Sequence, residues 1–457
     1  MKKVISKKCT YAVFIVLIVG IYICLKLNYS PLYGIFLGLL CAYILSYFNG
    51  YSHKEIFYMM TKGLKSVSIV ILMMIIISIL IGIWMLNGTI PTIMHMGFSY
   101  LSHLNFVLVA FLITSIISII LGTSLGSIST IGMALMGIGK SLHISTPLLA
   151  GAIVSASYIG DRSSPLSSSA NLTAIITKTN LMDNLKHMMT TLIPSYILCI
   201  IFYTFMGKKN MGITPLEKII TLQNILSTHF FISCFLLISP FLILIMALFR
   251  YSMIKSLSTG LMVSLFITLF IEQFSISKII YVSFWGFHSN HPQISSIVSG
   301  GGIFSMRYII LIIVASTALT GILDGTNMIQ PIIDTFIKKV KSTGNLILKT
   351  SFLSLIIAFI TSNQTISIII PGKFLQTHFE RKNISKNTLA RTLADTAIVL
   401  VPLIPSNSNA IFIMTLFHVN VLDFAPFSIF CYITPILTIF YGYMGWIRKS
   451  SYHNHCS

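Results

Sequence analysis

The sequence predicts an all-α polytopic membrane protein with about 10–12 transmembrane helices plus re-entrant hairpins. Of the 457 residues, 55% are hydrophobic and only 9% are charged, and the mean hydropathy is +0.90. Soluble domains contain about 25% charged residues. Apolar runs of membrane-spanning length follow one another along nearly the whole chain, whereas a single span needs about 20 such residues. No room therefore remains for a soluble domain.

The positions of the basic residues predict the topology. The net charge is +20, and most of the cations stand in short gaps between apolar runs or before the first run, as in cytoplasmic loops. The basic residues are not concentrated in a compact domain, as they are in nucleic-acid-binding proteins. The sequence therefore excludes that class of protein. Residues 11–27 follow four lysines and read as the first membrane helix rather than a cleaved leader. Both termini are expected in the cytoplasm, which requires an even number of crossings.

The cysteines predict neither disulfides nor a resident metal. All seven are scattered, none forms a C-x-x-C pair, and most lie in apolar runs, where cysteine behaves as a small hydrophobe. A nucleotide-binding G-x-x-x-x-G-K-[ST] motif is also missing from the sequence. We therefore expect no cofactor and no metal beyond a transported ion.

The chain divides into two halves that resemble each other. Residues 1–206 form a first membrane half, 207–228 a polar connector, and 229–457 a second membrane half. Short matches, among them Thr123-Ser124 with Thr361-Ser362, recur in the same order about 240 residues apart. Polar stretches interrupt both halves, at 160–171 in the first and at 361–372 and 391–410 in the second. Backbone without helical hydrogen bonds is tolerated at membrane depth only inside protein or beside water. Paired interruptions of this kind are the sequence pointer to a transporter's central site.

Three of the ten carboxylates stand near interrupted apolar segments. A carboxylate at membrane depth costs about 2.5–3.5 kcal/mol and by default marks an ion or proton path. Asp161 is the first candidate; the alternatives are a salt bridge with Arg162 or a helix cap. Asp395 is the second, against a structural pair with Arg391. Asp324 is more typical of a helix end.

Hydroxyl and amide side chains cluster around the same interruptions and could supply the oxygen ligands that hard cations prefer. The alternative is that small polar residues let helices pack closely. Ser124, flanked by glycines, could suggest a serine hydrolase, but no general base is placed for it and we expect no enzyme. The candidate ion- or substrate-binding residues are Thr123, Ser124, Asp161, Ser164, Ser167, Ser168, Asn171, Ser362, Asn363, Gln364, Thr365, Asp395, Asn407 and Asn409.

Several motifs resemble those of NhaC-type Na⁺/H⁺ antiporters. The glycine-rich stretch 121–139 is similar to that family's glycine-rich element, and residues 160–171 resemble its G-D-x-x-S-P-L-S-D-x-x-N motif. Residues 300–306, 364–372 and 391–405 are also similar to family segments. The resemblance implies two inverted repeats with paired re-entrant hairpins. It also implies site roles for Asp161, Ser164, Asn171, Gln364 and Asp395.

The sequence departs from this family pattern at two positions. Ser168 and Asn363 stand where the family usually has acids. The resemblance implies Na⁺/H⁺ antiport across the cytoplasmic membrane. The two missing acids keep open Na⁺-coupled transport or exchange of a small organic solute, an amino acid or a carboxylate. The expected partners are Na⁺ with H⁺ or such a solute, and the lipid bilayer. The sequence leaves open whether two copies form a homodimer.

Overall fold

The computed structural model is helical throughout the residues it describes, which are 5–27, 29–65, 68–101, 105–142, 144–209, 216–249, 251–289, 300–328, 330–331, 342–361 and 363–446. Within these ranges, the β-structure consists of one isolated antiparallel bridge between Phe287 and Gly300. The prediction of an all-α protein is confirmed.

The helices of the first half begin with two long apolar helices and include one short helix that continues through a π-helical turn. They are α1 Lys7–Lys26, α2 Leu32–Phe48, α3 His53–Lys65, α4 Ser68–Leu86, α5 Thr89–Leu101, α6 Phe106–Leu121, α7 Ser124–Ser127, α8 Met133–Ser141, α9 Thr146–Ser163, α10 Ser168–Thr177 and α11 Leu181–Lys209.

The remaining helices begin within the predicted connector. They are α12 Leu216–His229, α13 Ile238–Leu248, α14 Met253–Phe266, α15 Ile276–Trp285, α16 Arg307–Gly325, α17 Thr343–Thr361, α18 Gln364–Arg381, α19 Lys386–Leu393, α20 Ser408–Phe417, α21 Val421–Phe424 and α22 Ile429–Met444. Helix α12 occupies half of the predicted connector and packs on α5, where Gln223 donates to the His95 carbonyl at 3.1 Å.

Apolar helices of membrane-spanning character account for most of the described chain. Four helices are long and apolar enough to cross a bilayer alone, and four further pairs do so only as two helices bent by 45° to 88° at a short break. Four shorter apolar helices accompany them. The break between residues 386–403 and 408–417 lies within the predicted interruption at 391–410, whereas the breaks of the other three pairs lie outside the predicted interruptions.

The interruptions recur at matching positions in the two halves. Three N-cap positions of the first half have a counterpart N-cap in the second half, and a left-handed residue ends the third helix of each set. The matching positions, each about 240 residues apart, are Thr123 and Asn363, Ser145 and Ser385, Ser167 and Asn407, and Lys178 and His418. Thr123 therefore corresponds to Asn363, two residues further along than the sequence match to Thr361 predicts.

The break between α6 and α7 contacts the break between α9 and α10. Gly122 ends α6 with a φ of +66°, and a Cβ placed there would lie 2.6 Å from the Leu166 carbonyl carbon. A Cβ on Gly160 would lie 1.9 Å from the Ser118 carbonyl oxygen. Glycine is required at both positions because backbone meets backbone. This close approach of α6 and α9 brings the break before α7 against the break after α9.

Candidate functional site

Asp161 lies near the end of α9, just before the chain breaks. The helix ends at Ser163, because Ser164 adopts extended backbone in front of Pro165. The Ser164 hydroxyl donates to the Ile119 carbonyl at 2.6 Å and so fixes the break against α6. Asp161 itself is 5% exposed. The broken helix thus holds a carboxylate inside the protein, at a point where backbone and side chains are both polar.

Four neutral side chains hydrogen-bond the Asp161 carboxylate. Its Oδ1 accepts from Ser169 at 3.0 Å and from Ser167 at 3.4 Å. Its Oδ2 accepts from Ser124 at 3.2 Å and from the Gln364 side-chain amide at 3.0 Å. The Ser167 hydroxyl also donates to the Asp161 carbonyl. These donors come from three separate helix starts, so the carboxylate is the point where the interruptions meet.

The second half reaches this carboxylate through Gln364. Asn363 caps α18 by accepting from the backbone of the first turn, which places Gln364 at the tip of the helix. The Gln364 amide nitrogen also donates to Ser169 at 2.9 Å, and its oxygen accepts from Asn409 at 2.6 Å. Asn409 in turn follows the cap Asn407 at the start of α20. Amide side chains therefore link the two halves across the site.

Arg162 turns away from its neighbour Asp161 and pairs with Asp395. The guanidinium Nε contacts the Asp395 carboxylate, and both side chains are completely buried. Arg162 also donates to the Met188 carbonyl at 3.1 Å and to Thr191 at 2.6 Å. The only other salt bridge among the described residues joins Lys386 and Glu380 at the surface. Within the described part of the chain, Asp161 therefore has no cationic partner.

Asp395 belongs to a separate cluster of buried charged and hydroxyl side chains. Besides Arg162, its carboxylate accepts from Thr191 at 3.0 Å and from Thr438. Arg391 lies one helical turn earlier and donates to Thr190 at 3.0 Å, rather than pairing with Asp395. Its Nε and Nη2 have no hydrogen-bond partner among the described residues. Arg162 and Asp395 thus form a buried ion pair, and Arg391 is a second buried arginine that lies near this pair without joining it.

An open cavity of about 610 Å³ leads to Asp161. Its inner wall carries the polar side chains of the interruptions, and Tyr58, Lys62 and Asp324 stand at its outer part. Lys62 and Asp324 are exposed, whereas Asp161 is buried. The cavity therefore connects the buried carboxylate with exposed side chains of α3 and α16.

A family model described as the Na⁺/H⁺ antiporter family matches residues 2–169 and 156–446 of this chain. The chain belongs to the Na⁺/H⁺ antiporter family. The family resemblance drawn from the motifs is confirmed, and with it the assignment as a multi-pass membrane transporter.

Curated relatives match over nearly the full length. The Na⁺/H⁺ antiporter NhaC of Alkalihalophilus pseudofirmus is 31% identical over 389 residues, 84% of each chain. NhaC of Bacillus subtilis is 28% identical over 96% of this chain and 99% of its own. The malate-2H⁺/Na⁺-lactate antiporter of Bacillus subtilis is 26% identical over 96% of both chains. The family thus includes relatives named for ions alone and relatives named for ions with organic acids.

The structure of this family member distributes the predicted site residues over three roles. Asp161, Ser124, Ser167, Gln364 and Asn409 form the hydrogen-bonded centre described above. Several more line the cavity without bonding Asp161, namely Thr123, Ser168, Asn363 and Thr365. The others are structural or lie apart: Ser164 and Asn171 secure the break, Asn407 caps α20, Asp395 pairs with Arg162, and Ser362 lies outside the described residues.

Two side chains at the centre were missed by the sequence-based list of candidates. Ser169 bonds both Asp161 and Gln364. Tyr158 is fully buried, and its hydroxyl has no hydrogen-bond partner among the described residues. It precedes Asp161 by three residues on α9, a spacing that puts both side chains on one helix face. That spacing is the sequence signal that points to Tyr158.

Proposed function

We propose that this protein exchanges Na⁺ for H⁺ across the cytoplasmic membrane and that Asp161 carries both ions in alternation. The single observation behind the proposal is that Asp161 is buried without a cationic partner among the described residues. An uncompensated buried charge is costly, so the carboxylate favours a neutral state. A proton and a Na⁺ ion can each neutralise it, and one carboxylate cannot hold both. Competition of this kind couples the two fluxes.

The neighbouring oxygens suit Na⁺. Hydroxyl groups of Ser124, Ser167 and Ser169 now donate to the carboxylate, but each can rotate and offer an oxygen lone pair to a cation instead. The Gln364 amide can likewise exchange its donor for its oxygen by turning about its last bond. When Asp161 binds a proton, the same groups return to hydrogen bonding. The ligand set therefore serves both states without bringing in another charge.

The cavity supports an inward-facing conformation. Helix α3, which contributes Tyr58 and Lys62 to the cavity, contains three lysines in its thirteen residues. Clustered lysines in a short segment beside a span indicate the cytoplasmic side. We infer that the cavity opens to the cytoplasm and that both termini lie on the same side of the membrane. In this conformation, Asp161 can exchange a bound Na⁺ for a proton, or a proton for Na⁺, with the cytoplasm.

The decisive experiment imposes a Na⁺ gradient on proteoliposomes and follows internal pH with a trapped dye. Na⁺ added on one side should move protons in the opposite direction, with the membrane potential clamped. If Na⁺ moves no protons but drives accumulation of a labelled amino acid or carboxylate, the exchange of Na⁺ for H⁺ is refuted.

Na⁺-coupled movement of a small organic solute is the second candidate. A cavity of about 610 Å³ is far larger than one ion requires, and ligand pockets for small molecules begin at about 300 Å³. One relative is named as a malate-2H⁺/Na⁺-lactate antiporter. Labelled lactate and malate, tested in the same proteoliposomes, distinguish this candidate from simple ion exchange.

A further inference from the structure

The Gln364 side-chain amide is held by three neighbours. Its nitrogen donates to the Asp161 carboxylate at 3.0 Å and to the Ser169 hydroxyl at 2.9 Å. Its oxygen accepts from the Asn409 amide nitrogen at 2.6 Å. Both N–H groups of the Gln364 amide are therefore used, and its oxygen points to Asn409. The amide thus presents donors, rather than an acceptor, to the carboxylate.

Asp161 and Asn409 favour the same orientation of this amide. An ionised carboxylate has only acceptor oxygens, so it requires the N–H side of Gln364. Asn409 offers its own N–H side at the other end, which requires the Gln364 oxygen. If the Gln364 amide turned, its N–H groups would face those of Asn409, and the hydrogen bond between the two amides would be lost. This bond therefore stabilises one of the two orientations of Gln364.

Helix α20 fixes the place of Asn409. Asn407 caps this helix, and its side chain accepts from the Asn409 backbone N–H at 3.0 Å. Asn409 is buried and lies on the wall of the central cavity. Ser169 holds the matching place in the first half, two residues after the cap Ser167, and contacts the nitrogen of the same amide. The first half thus holds the Gln364 nitrogen, and the second half holds its oxygen.

A Na⁺ ion favours the other orientation of the Gln364 amide. A cation beside Asp161 is coordinated by oxygens and repelled by N–H groups. The Gln364 oxygen faces such an ion only after the amide turns, and turning breaks the bond with Asn409. A proton on Asp161 makes no such demand, because the carbonyl oxygen of the protonated acid still accepts from the Gln364 N–H. The bond with Asn409 therefore opposes Na⁺ but tolerates a proton.

We propose that Asn409 is a positioning residue that lowers the Na⁺ affinity of the Asp161 site. It does so by holding the Gln364 amide with its N–H groups toward the carboxylate. The inference rests on the proposed exchange, because it takes Na⁺ to bind at Asp161. Within that exchange, Asn409 sets the balance between the two competing ions without contacting the carboxylate itself.

The test measures binding of radiolabelled Na⁺ to the full-length protein in nanodiscs at alkaline pH, where few protons compete. Asn409→Leu keeps the approximate size of the side chain and removes its bond with Gln364. One hydrogen bond between neutral groups corresponds to a change of about threefold to tenfold in a binding constant. Na⁺ should therefore bind about threefold to tenfold more tightly to Asn409→Leu than to the wild type. Damage to the site alone would weaken binding instead.

A second comparison shows whether Asn409 acts through Gln364. Gln364→Leu removes the amide that Asn409 orients, and it should weaken Na⁺ binding because an oxygen ligand is lost. Adding Asn409→Leu to this variant should then change the Na⁺ affinity by less than about twofold, because the coupled partner is absent.

Gln376→Leu is the matched control. Gln376 lies on α18, about three turns beyond Gln364, and its side-chain amide donates to the Thr177 carbonyl at 3.0 Å. It therefore links the same two halves of the protein through an amide hydrogen bond that lies away from Asp161. Gln376→Leu should leave the Na⁺ affinity unchanged.

The outcomes separate the positioning role from the proposed exchange. Unchanged or weaker Na⁺ binding by a folded Asn409→Leu variant, or tighter binding that persists in the Gln364→Leu background, would overturn the positioning role. Binding is measured without transport, so a wild type that binds Na⁺ but moves no protons would refute the exchange alone. Absence of Na⁺ binding by the wild type would overturn both.

A smaller substitution keeps the test decisive if Asn409→Leu fails to fold. The hydroxyl of Asn409→Ser can either donate or accept, so it imposes no direction on the Gln364 amide. This variant must then bind Na⁺ more tightly than the wild type for the positioning role to stand.

Discussion

Replacing Asp161 by asparagine tests the proposed exchange most directly. The side chain keeps its shape and can still bond Ser169 and Ser124, but the site becomes neutral whether or not an ion is present. In the wild type, the ion-free carboxylate costs about 2.5–3.5 kcal/mol at membrane depth. At about 1.4 kcal/mol for each factor of ten, the empty ionised site is disfavoured about 100-fold relative to an occupied one. That penalty is what forces one ion to replace the other.

We therefore expect Asp161→Asn to lower Na⁺-driven proton movement by about 100-fold, to the leak of protein-free vesicles. The assay is the initial rate of internal pH change in proteoliposomes after a Na⁺ pulse. Asp324→Asn is the matched control, since it removes a carboxylate at the exposed entrance of the same cavity. It should leave the rate within about twofold, because exposed charges contribute little. Full exchange by Asp161→Asn, with the control also active, would refute the reasoning.

The remaining predictions concern the groups around Asp161. Asp395→Asn leaves Arg162 buried without its counter-charge and should destabilise the protein by about 3–5 kcal/mol, measured as thermal unfolding in detergent; the double variant with Arg162→Gln should recover part of this loss, and equal damage in both would contradict the pairing. Gln364→Glu places a second carboxylate about 3 Å from Asp161, where both cannot ionise, so the pH of half-maximal exchange should rise; an unchanged pH profile would argue against competition at this carboxylate. Ser168→Asp restores a family acid on the cavity wall and should lower the Na⁺ concentration for half-maximal exchange severalfold; unaltered Na⁺ dependence would contradict it.

The interruptions of the membrane helices could be predicted from sequence because they depend on local chemistry. Thr123, Asn363, Ser167 and Asn407 are residue types that cap helices through hydrogen bonds to the first turn. Proline alone does not mark a break, since Pro371 lies inside α18. Asp161 was identified for the same reason, as a carboxylate next to a break. Which positions of the two halves correspond to each other does not follow from the neighbouring residues. It emerged from the cap positions, which shift the match of Thr123 from Thr361 to Asn363.

The partners of the charged side chains could not be predicted, because they lie far apart in sequence. Arg162 and Asp395 are separated by 233 positions, whereas the neighbours Asp161 and Arg391 offered the obvious pairings. Side chains at consecutive positions of a helix point about 100° apart, so Asp161 and Arg162 face different environments. Hydrophobic patterning gives no direction in a helix such as α9, whose residues from Leu148 to Ser163 are all buried.

The direction of Arg162 determines what Asp161 can do. If the guanidinium paired with Asp161, a permanent charge would neutralise the carboxylate, and neither a proton nor Na⁺ would be needed there. Asp395, Thr191 and the Met188 carbonyl instead hold Arg162 on the other side of α9. In the proposed exchange, Asp395 would contribute without binding an ion itself, because it holds Arg162, the cation next to Asp161 in the sequence, away from the proposed transport carboxylate. On this view the family acids absent at Ser168 and Asn363 are dispensable for coupling, because coupling requires a single carboxylate that has no fixed counter-charge.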